Sequence, residues 1–278
     1  MLCGKRFQSK NRPEKLEQVI FERYVNKRQT LRDLASEYGR SINWVRNKIK
    51  AAQALRKEIK PDGYTFVADA TFFDRITGFL IYRIPEIQKN VYFAPIMYES
   101  IFEYQLGRVQ IQKQGFGIRA ITLDGRPGVR NLFSDIPVQM CHFHQKQIIR
   151  RYLTGNPKLE AGIELKAITD RLTYVTEEEF TIDFFAWCDK WDTFLKERAT
   201  DPITRKWSYT HKRVRSARRS IKNNLPYLFT YLKYPKLKIP NTTNSLDGSF
   251  TWLKQKLGIH RGYTDNLRDK IIEHILGS

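Results

Sequence analysis

Cysteine is scarce in this chain: three residues in 278, at Cys3, Cys141 and Cys188. An odd number so widely spaced excludes a disulfide framework and fits a reducing compartment. No apolar run reaches the length of a bilayer-spanning helix, which excludes an integral membrane protein. The stretch from Met1 to Pro13 is basic and polar and lacks the apolar core of a secretory signal, so a cytoplasmic, nucleoid-associated protein is expected. Acidic residues are few beside basic ones, 29 Asp+Glu against 49 Lys+Arg, for a net charge of +20 at pH 7. Such a surplus attracts polyanions and favours phosphate backbones through counterion release. Composition alone leaves open a ribosomal or merely soluble basic protein. The rest is ordinary: 41% hydrophobic residues and a length that suits a main domain plus a small one.

Residues 1–13 carry Cys3-Gly4-Lys5-Arg6-Phe7, which looks like the second knuckle of a zinc ribbon. One cysteine cannot make a four-ligand structural site, so no bound zinc is expected; either a first knuckle is missing or the likeness is accidental. Residues 14–58 read as a helix-turn-helix DNA-binding domain. Leu16, Val19, Ile20, Tyr24 and Val25 recur at helical spacing. Thr30 and Asp33 make an acidic capping box, Gly39 ends that short helix, and Ser41 caps the next. The second helix turns Ile42, Val45 and Ile49 inward, and small Ala35 permits close helix contact. Arg40, Asn43, Trp44, Arg46, Asn47 and Lys48 lie on or beside it, where Asn and Arg can read base edges and Lys and Arg bind phosphates. An ordinary basic helical hairpin is the other reading.

After the turn signal Pro61-Asp62-Gly63 the pattern becomes α/β across residues 62–144. Strands are expected over 64–73, 78–84 and 91–97, a helix over 100–114, a strand over 118–123, a short helix from Pro127 and a short strand over 138–140. Asp69 sits in the middle of an apolar strand, and Asp124 closes another beside Gly125. A buried charge is costly unless paired, and two Asp on adjacent strands repel unless a divalent cation relieves them. An exposed face for Asp69 and a plain strand-end turn for Asp124 would be the structural alternative. A third segment, from Ile239 to Lys254, opens a helix near Asn241–Asn244 with Asp247 on its first turns. Lys254 follows two turns later on the same face, so that a carboxylate and a cation could meet metal and DNA backbone together.

Residues 145–238 read as mostly helical. Glu177-Glu178-Glu179 opens a long amphipathic helix bearing Phe180, Phe184, Phe185, Trp187, Trp191 and Phe194, a stripe better suited to a core than to base stacking. The run from His211 to Arg219 is densely basic; Arg213, Arg215, Arg218 and Arg219 read as DNA-backbone contacts or as a solvated helix face. Cys141-x-x-His144 has too few neighbouring ligands for zinc and reads as structural or DNA-facing, with His142 on the surface.

Val67-Ala68-Asp69, Thr122-Leu123-Asp124-Gly125, Cys141-His142-Phe143-His144 and Pro240-Asn241-Thr242-Thr243-Asn244-Ser245-Leu246-Asp247-Gly248 are each weak signals, but their order is specific. Together they resemble the Mutator-like bacterial insertion-sequence transposases, in the subgroup with an N-terminal zinc-ribbon and helix-turn-helix region. The resemblance runs from Cys3 to about Arg261. It implies an α/β, ribonuclease H-like catalytic core, an all-helical insertion domain, and a return to the core over residues 239–278. It also implies DDE-type strand cleavage and strand transfer, with two metal ions held by Asp69, Asp124 and Asp247. Mg2+ suits such an oxygen-only site and Mn2+ can substitute. The implied partners are terminal inverted repeats and target DNA, bound by a homo-oligomer. The family pattern has Glu where this chain has Asp247, one methylene shorter; misplacement of about an ångström can cost roughly 100-fold in rate. A catalytically inactive transposase-derived DNA-binding protein and a transcriptional regulator remain as alternatives.

Overall fold

The computed structural model describes residues 15–27, 29–54, 58–72, 78–259 and 264–277. The zinc-knuckle-like Cys3–Phe7 lies outside the described residues. The chain divides into two compact units: residues up to Glu58 together with those from Thr251 onward, and Ile59–Phe250.

The first unit begins with α1 (Leu16–Asn26), α2 (Leu31–Glu37) and α3 (Ile42–Ala51). Thr30 and Asp33 form the reciprocal capping box, and Ser41 Oγ accepts from the Trp44 amide at 3.2 Å. Gly39 turns the chain between α2 and α3 at φ +58°, a region that favours glycine. Ile20, Phe21, Tyr24, Val25, Leu34, Val45 and Ile49 are buried together. Leu16, expected on the inner face, is instead 41% exposed, because the first helical position leans its side chain off the end of the helix.

In the second unit the expected order of elements is observed. It runs β1 (Gly63–Phe72), β2 (Gly78–Ile84), β3 (Lys89–Ile96), α4 (Ile101–Lys113), β4 (Gly117–Leu123), α5 (Pro127–Asn131) and β5 (Val138–Met140). The sheet is mixed, in the order β3-β2-β1-β4-β5, with β1, β2 and β3 antiparallel and β1, β4 and β5 parallel. Phe66, Leu80, Tyr82, Tyr104, Ile121 and Phe133 form its buried core, and the Tyr82 hydroxyl donates to the Tyr104 carbonyl at 2.6 Å.

Helices follow: α6 (His142–Leu153), α7 (Glu160–Asp170), α8 (Glu177–Lys190) and α9 (Asp192–Lys196). A small hairpin that the sequence reading did not anticipate, β6 (Arg198–Thr200) and β7 (Trp207–Tyr209), leads to α10 (Lys212–Leu228) and α11 (Thr230–Lys233). The aromatic stripe is core: Phe180, Phe184 and Trp187 are buried, with Phe184 stacked 6.4 Å from each of the other two. The single long helix expected here breaks at Trp191, and Phe185 is 44% exposed.

The chain ends in α12 (Asn244–Ile259) and α13 (Asp265–Gly277). Residues 239–278 were expected to belong wholly to the core; from Thr251 they group with α1–α3 instead. Lys256 donates to the Asn26 carbonyl at the end of α1, and Lys270 to the Ile49 and Lys50 carbonyls in the last turn of α3. Cations there neutralise the unpaired carbonyls of helix C-termini, while Ile271, Ile272, Ile275 and Leu276 are buried. Among the described residues no helix is long and apolar enough to cross a membrane.

Candidate active site

Parallel pairing sets two acids side by side. Val67 on β1 is level with Thr122 on β4. Two residues further on stand Asp69, still within β1, and Asp124, the first residue past the end of β4. Asp69 is only 7% exposed and accepts from the Ala70 amide at 2.8 Å. Asp124 accepts from the Arg126 amide at 3.0 Å, across a turn made by Gly125 at φ +89°. A Cβ at Gly125 would lie 1.8 Å from Met140 Sδ, so the Asp-Gly pair is what lets the chain leave β4 here.

The third acid arrives on a segment fastened to these strands. Thr65 Oγ1 donates to the Leu237 carbonyl at 2.7 Å and Thr122 Oγ1 to the Pro240 carbonyl at 2.6 Å. The His142 amide donates to the Asn241 carbonyl at 2.8 Å, and the Thr243 amide to Cys141 Sγ at 3.3 Å. From that anchorage α12 opens at Asn244, with Asp247 in its first turn and half-buried.

The electrostatics show the convergence. Burial pushes the Asp69 carboxyl up to about 7; His144 and the Ala70 amide oppose the shift, while Asp124 and Asp247 add to it. Burial also lifts Asp247, against the pull of His144. His144 Nε2 lies 3.9 Å from Asp69 Oδ2. Burial disfavours the charge on His144, but Cys141, Asp69 and Asp124 outweigh it and raise the imidazole to about 9. The Cys141 thiol is lowered in turn: burial would raise it, and the neighbouring His144 together with the Thr243 contact prevails. Cys141, buried, and His144, half-buried, thus shift one another in opposite directions.

An all-oxygen donor set, with one carboxyl raised by burial and further by the acids beside it, suits a hard divalent cation in chemistry. In spacing it is looser: among the described residues no three His, Cys, Asp or Glu side chains approach closely enough to hold a metal ion. A fourth acid, missed in the sequence, stands nearby. Glu99 accepts from the Tyr104 hydroxyl at 2.9 Å and lies 3.7 Å from Arg126, and burial together with Asp124 raises its carboxyl. The signal available was its position between a strand and the Ser100 cap of α4. Asp124, Glu99 and His144 line one cleft of about 590 Å3 with Arg126 and Arg151.

The proposed DNA-facing residues are distributed as follows. Arg40, Asn43, Arg46 and Asn47 are exposed around α3, and Arg46 donates to Asn43 at 3.1 Å. Arg40 and Lys48 lie 5.8 and 5.9 Å from the half-buried Trp44 ring, on which they can stack. Lys48 also pairs with Glu17 at 3.5 Å. On α10, Arg213 donates to the Arg151 carbonyl at 2.7 Å, and Arg215 lies 3.4 Å over the Tyr209 ring. Arg218 and Arg219 share a cleft with Asp189 and Asp192. Lys254 is exposed, on the part of α12 that belongs to the first unit. His142, expected at the surface, is fully buried: its ring packs edge-on to Phe229 and Tyr231, and its Nε2 donates to the Leu228 carbonyl at 2.6 Å. The carbonyl at the end of α10 thus accepts from both Gln139 Nε2 and His142, and burial pushes His142 down to about 4, which keeps it neutral. Comparison with protein-family models and with curated proteins finds no match for this chain.

Proposed function

We propose that this chain is a DDE-type DNA transposase whose core has a ribonuclease H-like fold and cuts and joins DNA strands with divalent metal. The observation that carries the reading is the assembly of Asp69, Asp124 and Asp247, far apart in sequence, at one end of a mixed sheet. The order β3-β2-β1-β4-β5, with three antiparallel strands followed by two parallel ones, supports it. Asp69, Asp124 and Asp247 would hold Mg2+ or Mn2+, which when bound supplies Lewis-acid activation of water or a 3′-hydroxyl and steadies the leaving oxygen. His144 balances the charge of Asp69 and keeps the buried carboxyl ionisable. Arg126 and Arg151 face the phosphate at the mouth of the cleft. No protein nucleophile is required, so no covalent protein–DNA intermediate forms. The exposed face of α3 reads the element ends, and the +20 charge holds DNA non-specifically.

The open spacing of the acids, with the shorter Asp247, favours a second reading: an inactive transposase-derived DNA-binding protein or regulator. The full chain incubated with supercoiled plasmid in Mg2+, Mn2+ or EDTA separates the two. Strand cleavage in either metal and none in EDTA is expected. Tight binding without cleavage in both metals would establish the inactive derivative.

A further inference from the structure

The cleft beside Asp124 is lined by two unlike kinds of side chain. Its lining combines the polar Asp124, Glu99 and His144 with the apolar or aromatic Met97, Tyr98 and Phe72. Met97 and Tyr98 are 69% and 71% exposed. Single exposed hydrophobics need no explanation, but Met97 and Tyr98, adjacent in the chain and both lining a charged cleft, call for one.

The local chain shows why these side chains stand out. β3 ends at Ile96 and Ser100 already caps α4, so only three residues span the connection. Glu99 is tied down by Tyr104 and Arg126. Tyr98, next to it, is therefore presented from a fastened backbone and points an aromatic ring into water. A cleft of about 590 Å3 takes one nucleotide rather than a base pair with its two backbones. Arg126 and Arg151 at the same cleft, and the net charge of +20, complement phosphate; an apolar protein partner would use neither.

We propose that Tyr98, flanked by Met97, is a stacking platform for one unpaired nucleobase, so that the substrate strand enters the acidic site with a base held out of the duplex. This rests on the nuclease reading above and adds a requirement to it: DNA unpaired at the reacting position is preferred over intact duplex. Aromatic platforms bind any base by its face, so the preference is for strandedness, not for sequence.

The test uses the full chain in Ca2+ and two DNAs of one sequence, one fully paired and one with a two-base bubble carrying 2-aminopurine. The parent is expected to bind the bubble at least about fivefold tighter, the low end of what stacking on an aromatic contributes, and to change its fluorescence. Tyr98→Ala is expected to lose both effects while melting at the parent's temperature, and Tyr98→Phe to keep both, since the ring stacks and the hydroxyl does not. Retention of the preference by Tyr98→Ala overturns the proposal. So does a change in sedimentation of Tyr98→Ala with the preference intact, which would mark a surface for a second copy. A parent that cleaves DNA without preferring the bubble overturns this inference and leaves the nuclease reading standing. A parent that neither binds nor cleaves either DNA removes both.

Discussion

The acids of the candidate site and the cations of α10 are built in opposite ways. Arg213, Arg215, Arg218 and Arg219 are crowded in sequence, yet the fold spends part of that charge on itself. Arg215 covers Tyr209 and bonds the Leu195 carbonyl, and Arg213 bonds the Arg151 carbonyl. Asp69, Asp124 and Asp247 are scattered along the chain, and folding gathers them where burial raises Asp69 to about 7. A run of charge in sequence is thus a poor measure of availability. A buried charge without full compensation is the better pointer to chemistry, because stability alone would remove it.

The sharpest way to break this comparison is Asp69→Asn. Cleavage in Mg2+ should fall by about a thousandfold or more, with DNA affinity within about twofold, since the grooves are untouched. The carboxyl raised from 3.8 to about 7 stabilises the fold only while protonated; that contribution is lost as pH rises through about 7. In metal-free buffer at pH 8 the amide should therefore melt above the parent, by at most about 4 kcal/mol in stability. A variant that melts far lower at pH 8 would make Asp69 a structural group.

Asp247 comes next. If its helix sits close enough for Asp, Asp247→Asn inactivates and Asp247→Glu is neutral or harmful. If the site is under-coordinated, Asp247→Glu raises cleavage by up to roughly 100-fold, the scale of an ångström's misplacement. Equal cleavage by parent and both variants removes Asp247 from the site.

The cations should respond differently from one another. Arg215→Ala is expected to lower stability by roughly 1–3 kcal/mol in urea unfolding, through the lost ring and carbonyl contacts, with little change in DNA affinity. Exposed Arg219→Ala should leave stability alone and reduce the salt dependence of DNA binding by about one ion. The reverse pattern would mean that α10 presents its whole basic run to DNA.

Burial acts on His142 in the opposite sense to Asp69. With its pKa pushed down to about 4, the native chain binds fewer protons than the unfolded one between about 4 and 6.5. Its contribution is complete above pH 6.5 and falls as pH drops through that window, by about 1–2 kcal/mol at pH 5. His142→Leu should flatten that slope in urea unfolding; an unchanged slope would assign it to other groups.

Much of this was legible in the sequence. The capping box at Thr30 and Asp33, the Ser41 cap and the turn at Gly39 are local signals, and the structure places them as read. The order of strands and helices in the second unit followed from periodicity. What escaped depends on partners distant in sequence. His142 looks like a surface histidine until α10 brings the Leu228 carbonyl to it. Glu99 gains meaning only when Arg126 and Asp124 stand beside it. The grouping of α13 with α1–α3 rests on lysines reaching carbonyls more than 200 residues away in sequence, which no local pattern encodes.

On this reading, three scattered aspartates form one cation-holding site. Binding of Mn2+ to the full chain, followed by electron paramagnetic resonance in the presence of DNA, addresses it without requiring turnover. The parent should take up Mn2+ at a protein site, and Asp69→Asn, Asp124→Asn and Asp247→Asn should each weaken that uptake by tenfold or more while remaining folded. Uptake unchanged in all three, or absent from the folded parent, would contradict the account.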